Sequence, residues 1–267
     1  MISVTLKGLS LLQFSNLSRF PELLHFSSTR NGGSSEANYG SLNLGFNSGD
    51  KHEDVVANRN KLCTALEIRL EQFVFPKQTH TATVRIINDR FLNAGEDDRK
   101  HFLLDTDAVI TNHKGICIAV KTADCVPVLL YDPRQKVVAA IHAGWRGTAQ
   151  NIVLNTIEKL KDEFDTNPSD LIAGIGPSIC PDVYEVGSDV YNQFDPVFVE
   201  DTQPFQTGKK LLNLWKANRQ QLIQGGVNSQ NIEIAELCTW SDNDLFFSAR
   251  RDGAKTGRMA TGIMIRE

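Results

Sequence analysis

Three side chains in this sequence are of types that hold a metal or serve as nucleophile and base. They are His80 in KQTHTATV, Cys125 in KTADCVPV and His142 in AAIHAGWRG. Each ends or interrupts an apolar run, where a strand would present a polar group to a cleft. Thiolate and neutral imidazole are donors that zinc prefers, and three protein ligands with a fourth position open define a catalytic zinc site. The spacings of 45 and 17 residues are not those of a compact zinc finger. Cysteine is also among the most buried residue types, so a purely structural role stays open. The same atoms suit a nucleophilic pair, with Cys125 attacking and His142 as its base. Asp124 would orient either arrangement, or simply cap the turn it sits in.

Anion binding has its own candidates. In HAGWRGTAQNIV, Gly144 and Gly147 free the backbone just before a helix start, which attracts negative charge. Arg146 adds a planar fork suited to phosphate or carboxylate, with a tight turn bearing a surface arginine as the plain alternative. Arg30 beside Gly32-Gly33, and the SARRDGAKTGR stretch at 248–258, are further candidates. Cys180 in GIGPSICPDVYEVG reads as a buried thiol, and Cys63, Cys117 and Cys238 as core. His25, His52, His101 and His113 lack paired ligand spacing.

The elements that must position these groups follow from periodicity. ICIAVKTADCVPVLLYD (116–132) predicts two buried strands flanking the turn at 122–125, and KVVAAIHAGW (136–145) predicts a third. Ala149, Ile152, Val153, Ile157 and Leu160 mark one face of a helix. A strand at 171–175, a helix over 211–223 ending at Gly225-Gly226, and strands near 231–238 and 259–265 are also predicted. Asp50 and Glu53 have capping-box spacing ahead of a helix carrying Val55, Val56, Leu62, Cys63 and Leu66. Residues 29–50 are too glycine-rich for regular structure, and 93–102 reads as a surface loop. Without a strict strand–helix–strand rhythm, the pattern predicts an α+β or mixed-sheet sandwich. No linker divides the chain, so 1–267 reads as a single domain.

Composition narrows the function classes. Of 267 residues, 28 are Lys or Arg and 32 Asp or Glu, a net charge of −4, without the basic surplus of a nucleic-acid binder. No apolar run suggests a membrane span. The N-terminus does not read as a signal peptide. Five scattered cysteines are no disulfide framework, and a cytoplasmic home is the expectation.

Taken together, KQTH, TDAVIT…TADCVPVLLYDP, IHAGWRGT, GIGPSICPDVYEVG and FFSARRDGAKTGRMA, in this order, resemble the YfiH or laccase-domain family over about residues 25–265. TRNGGSSEANYGSLNLGFNSGD resembles its N-terminal part, except that the family usually has valine before the final serine of TRNGGSS. The resemblance implies a four-layer α/β/β/α sandwich, similar to the catalytic domain of cytotoxic necrotizing factor. It implies zinc held by His80, Cys125 and His142. It also implies phosphorolysis of adenosine, inosine, guanosine and methylthioadenosine to free base and ribose 1-phosphate, with adenosine deamination in the same pocket. Purine nucleosides and phosphate are then the expected partners, with Arg146 or Arg30 on the phosphate and Asp124 as a proton carrier.

Alternatives remain. The toxin domain is a Cys-His deamidase, so a Cys-His hydrolase or amidase acting on cell-wall precursors is one. A polyphenol oxidase is another, yet six histidines without a His-x-His pair fall short of a multicopper set. Copper bound in vitro at a Cys-His-His site would allow weak oxidation only. A non-catalytic, metal-stabilised binding module would need a fourth ligand that the sequence does not show.

Overall fold

The structure is a computed structural model that describes residues 1–202 and 208–267. The chain opens with strands β1 (Ile2–Leu6), β2 (Leu9–Gln13) and β3 (Leu23–Ser28). Helix α1 (His52–Leu66) follows, then β4 (Phe73–Val74), β5 (Val84–Ile86), the helices α2 (Asp89–Leu92) and α3 (Glu96–Phe102), and β6 (Ala108–Thr111). The centre comprises β7 (Cys117–Thr122), β8 (Val126–Asp132), β9 (Val137–Ala143), α4 (Trp145–Ala149), α5 (Ile152–Phe164) and β10 (Ile172–Ile175). A short sheet of β11 (Glu185–Val186), β12 (Val199–Asp201) and β13 (Lys210–Leu212) flanks α6 (Ser188–Tyr191). Then come α7 (Leu214–Gln224), β14 (Ile232–Ile234), α8 (Ala249–Asp252) and β15 (Met259–Ile265).

Two six-stranded sheets form the frame, ordered β1-β2-β3-β15-β7-β4 and β14-β10-β8-β9-β6-β5. Both are mixed, because β4 with β7, β5 with β6 and β10 with β14 run parallel among antiparallel neighbours. Every residue of β8, β9 and β15 is buried, as their unbroken apolar runs require of strands covered on both faces. Alternation assigns the faces. Val128, Leu130, Ala139 and Ile141 pack against Ile152, Val153 and Ile157 of α5 and Leu222 of α7. Leu129, Tyr131, Val138 and Ala140 meet Ile118, Val120, Ile263 and Ile265 of the other sheet. That sheet's outer face, with Leu11, Phe26 and Met264, buries Leu62, Ala65 and Leu66 of α1. The layers are therefore α1, first sheet, second sheet, and α5 with α7. No helix among the described residues is long and apolar enough to cross a membrane.

Several local expectations need correction. The segment 93–102 contains α3, whose first turn is acidic and last turn basic, a charge order that favours a helix through its dipole. The capping box at Asp50 does not form. Lys51 is the N-cap without a side-chain bond, and Asp50 instead accepts from Ser35 Oγ at 2.6 Å and Asn43 Nδ2 at 2.9 Å. The helical face begun at Ala149 is split into α4 and α5 by Asn151, whose φ is 59°. Only Ile232–Ile234 of the 231–238 region is strand; beyond it Cys238 bridges to Ser178.

Candidate functional site

Pairing between β8 and β9 brings two of the three donors together. Pro127 lies opposite His142 in the antiparallel register, so Cys125, two residues before Pro127, falls beside His142 where the two strands end. His80 arrives from the loop between β4 and β5, with φ of 65°, a left-handed conformation that a residue with a Cβ adopts at a cost. The donor atoms of His80, Cys125 and His142 all lie within 4.8 Å of one another. His142 is buried, Cys125 half-buried and His80 exposed. Their imidazole rings meet edge-on, with centroids 5.0 Å apart.

Asp107 explains why the loop holds. Its buried carboxylate, one residue before β6, accepts from His142 Nδ1 at 2.7 Å. It also accepts from the backbone N–H of His80 at 3.1 Å and Thr81 at 2.7 Å, and from Thr81 Oγ1 at 2.8 Å. One side chain thereby fixes two donors. Receiving Nδ1–H, it leaves Nε2 of His142 for a ligand, the arrangement that carboxylates give metal-binding histidines. Burial pushes the Asp107 carboxyl up, but the His142 and Thr81 hydrogen bonds outweigh it and lower it overall. Burial likewise pushes the Cys125 thiol up, yet the His142 and His80 imidazoles pull it down to about 6. For His142, burial is overcome by the Cys125 thiolate and the Asp107 carboxylate, which raise it to about 9. Without a metal, thiolate and imidazolium thus face each other near neutral pH, and a metal at Nε2 would take the place of that proton.

Gly144 leaves room for this contact. A Cβ there would lie 3.0 Å from both Cys125 Sγ and His80 Cδ2. Two imidazoles, one thiolate, an oriented tautomer and a backbone kept clear of side chains suit a metal ion with one position open to substrate.

The donors face an open cleft of about 720 Å³, within the range of sites for small ligands. Its wall includes Arg59, Lys121, Arg250 and Arg258, with Phe46, Phe75 and Tyr184 as aromatic faces. Among the described residues, Asp124 is the only carboxylate on this lining. Its two oxygens accept from Thr239 Oγ1 and from the backbone N–H of Arg250, each at 2.7 Å. Asp124 therefore ties α8 to the cleft edge.

The structure brings together His80, Cys125, His142 and Asp124. It does not bring Arg146 or Arg30 onto the cleft wall. Arg146 is exposed, its guanidinium 4.2 Å from the ring of Trp145. Arg30 donates from Nε to Gly40 O at 2.8 Å and from Nη1 to Asn243 O at 3.0 Å, cross-linking two loops. Asp107, Arg59 and Lys121 escaped the sequence reading. Asp107 stands in TDAVIT as an acidic residue heading an apolar run, the same signal that marked Cys125.

Comparison with known proteins places the chain in a family. The profile of a family described as multi-copper polyphenol oxidoreductase laccase matches residues 24–266. The chain is 43% identical over 270 residues to a purine nucleoside phosphorylase of Bacteroides thetaiotaomicron, covering 99% of each. It is 37% identical to adenosine deaminase RL5 from an unknown prokaryotic organism, covering 89% of this chain and 92% of that one. The crystal structure of YlmD from Geobacillus stearothermophilus superposes with a TM-score of 0.88 at 33% identity, covering 98% of this chain and 97% of the other.

Proposed function

The chain belongs to the multi-copper polyphenol oxidoreductase laccase family, and from that premise we propose that it is a zinc-dependent purine nucleoside phosphorylase with adenosine deamination in the same cleft. Adenosine, inosine, guanosine and methylthioadenosine are the substrates of this reading, and the whole chain acts as one catalytic unit. The observation that carries it is the convergence of three donor atoms within 4.8 Å on a cleft walled by cations and aromatic rings.

Phosphorolysis forms a bond from a phosphate oxygen to C1′ of the ribose as the C1′–N bond breaks. The purine departs with the electron pair and then takes a proton. Negative charge enters with the phosphate and accumulates on the leaving base, and fixed cations oppose it best where water is partly excluded. His80, Cys125 and His142 would hold the zinc, which supplies Lewis acidity to a substrate oxygen or to a water. Asp107 keeps His142 in one tautomer and orientation throughout. Phe46, Phe75 and Tyr184 offer flat faces to a purine. Asp124, with both oxygens engaged, positions the Arg250 segment and is not assigned the proton transfer.

The same three donors also suit copper. An oxidase of the multicopper kind needs more ligand groups, and the described residues contain this one alone. A second reading does have support: the thiolate–imidazolium pair of Cys125 and His142 is what a Cys-nucleophile hydrolase, like the deamidase of the toxin domain, would use.

Incubation of adenosine and inosine with and without phosphate tests the first reading. Ribose 1-phosphate and free base are expected only with phosphate, and inosine is expected as a second product of adenosine. Free ribose released equally under both conditions would sink it. Chelation separates the two readings, because a Cys nucleophile keeps its activity without metal and loses it to alkylation.

A further inference from the structure

On the cleft wall, two cations that form no ion pair among the described residues share one aromatic ring. Arg59 of α1 is sandwiched between aromatic rings, its guanidinium carbon 4.1 Å from the centroid of Phe46 and 4.5 Å from that of Phe75. Nε and Nη2 both donate to the carbonyl of Leu44, at 3.1 and 2.9 Å, which fixes the plane of the fork. Lys121 of β7 reaches the same Phe75 ring, with Nζ 5.1 Å from its centroid, and donates once, to Pro76 O at 3.1 Å. Both side chains are half-buried, and neither forms an ion pair among the described residues.

Two like charges sharing one ring in a half-buried wall repel each other, an arrangement that an anion would relieve. Burial, then the Arg59 charge, hold the Lys121 amine down to about 7. Burial holds Arg59 down to about 10. Donors are also left over: Nη1 of Arg59 and two N–H groups of Lys121 have no partner among the described residues. The other two cleft arginines also lack an ion pair among the described residues, but Arg258 donates to the carbonyls of Thr256, Gly257 and Ala254. Arg250 donates from Nη1 to Glu185 O at 2.8 Å, its guanidinium carbon 5.0 Å from the Tyr184 ring.

We propose that Arg59 and Lys121 form a phosphate subsite, in which Nη1 of Arg59 and the remaining N–H groups of Lys121 bind the oxygens of inorganic phosphate or of a phosphate ester. The fork supplies directional bonds and the ammonium a point charge, a pairing suited to a tetrahedral dianion. The rings of Phe46 and Phe75 hold the fork in place, so little side-chain freedom is lost on binding. The occupancy of this subsite by the co-substrate phosphate rests on the phosphorolysis reading; the binding itself does not.

Equilibrium binding of inorganic phosphate to the metal-loaded protein tests the assignment. Lys121→Met and Arg59→Met are each expected to weaken binding about tenfold or more, whereas Lys121→Arg, which keeps the charge, stays within about threefold. A measurement on the wild-type chain guards against variants that misfold: saturating phosphate is expected to protect Lys121 from acylation, read by mass spectrometry. Parallel titrations with a nucleoside 5′-monophosphate separate the sources. Protection by the monophosphate alone keeps the subsite but assigns it to a phosphate on the nucleoside. Phosphate bound at Lys121 while the enzyme releases ribose, not ribose 1-phosphate, keeps the subsite and overturns the phosphorolysis reading. Phosphorolysis with unchanged phosphate affinity in both methionine variants, and no protection of Lys121 by either ligand, overturns the subsite.

Discussion

The two sides of the cleft are built on different terms. The donor side stands where β8 and β9 end, above cores packed on both faces of their sheet, and Asp107 accepts from both His80 and His142. The cation side comes from α1, the C-terminal end of β7 and the loops around Leu44 and Pro76, and it keeps donors without partners among the described residues. A metal site needs donors fixed within tenths of an ångström, which saturated hydrogen bonding on a rigid frame provides. An anion that comes and goes needs donors left open to it. The contrast separates a resident ligand from a transient one.

The strongest way to break the contrast is to remove a donor. Cys125→Ala is expected to abolish stoichiometric zinc binding and reduce activity beyond the roughly 10–100-fold typical of changes behind the metal ligands. Stability should stay close to wild type, because none of the four apolar clusters involves the half-buried thiol. Wild-type zinc content in the purified variant would refute the ligand assignment. Before metal is added, the thiol itself can be titrated. Alkylation of Cys125 in the stripped protein should rise with pH and reach half its plateau near 6, where an ordinary cysteine would wait until about 9. A midpoint near 9 would mean that His142 and His80 do not face the sulfur as described.

Asp107→Asn comes next. The amide keeps the volume but gives His142 an ambiguous partner, and zinc affinity is expected to fall about 10–100-fold. Its NH2 cannot accept from the His80 and Thr81 backbone as both carboxylate oxygens do, so stability should drop by about 1–3 kcal/mol. Competition with a chelator measures the first, denaturant unfolding the second. Unchanged affinity together with lost stability would make Asp107 a loop anchor and nothing more.

Asp107 also shows where sequence reasoning stops. Strands β7, β8, β9 and β15 and helix α7 were legible because periodicity is local, and the three donors were legible because each interrupts an apolar run. The partners of Asp107 are at 79–81 and 142, joined to it only by sheet pairing, which no window of sequence displays. Arg59 lay within a predicted helix, but its role comes from Phe46 and Phe75, which the fold brings to it. Asp50 misled for the same reason: its spacing fits a helix cap, while its carboxylate turns to Ser35 and Asn43 across the loop. The glycine and arginine of HAGWRG point to an anion site, yet what a Cβ at Gly144 would meet is the donors, and the arginine is exposed.

Gly144→Ala sharpens the contrast with a smaller perturbation. The added Cβ would press on Cys125 Sγ and His80 Cδ2, each at 3.0 Å, so the donors must separate by a few tenths of an ångström. Overpacking of this kind costs about 1–3 kcal/mol, which here should show as zinc affinity reduced about tenfold with phosphate binding preserved. Equal loss of both would mean that the two sides of the cleft are mechanically coupled.

The smallest effect is expected at Arg146. Its guanidinium lies 4.2 Å from the Trp145 ring, exposed and off the cleft wall. Lysine keeps the charge but cannot stack as a plane on indole, so Arg146→Lys forfeits part of an exposed cation–π contact, about 0.5 kcal/mol. The backbone around it should not move, because Thr148 N and Gln150 N still close onto Gly144 O and Arg146 O. Phosphate titrated at fixed adenosine should therefore give the same half-saturation for variant and wild type, while Lys121→Met moves it about tenfold. Were Arg146 a phosphate ligand, loss of its paired charged hydrogen bonds would weaken binding by about 1.5–3 kcal/mol. A shift of that size in Arg146→Lys would carry the anion site across to the α4 turn, beside His142, and the division of labour between the two sides of the cleft would fall with it.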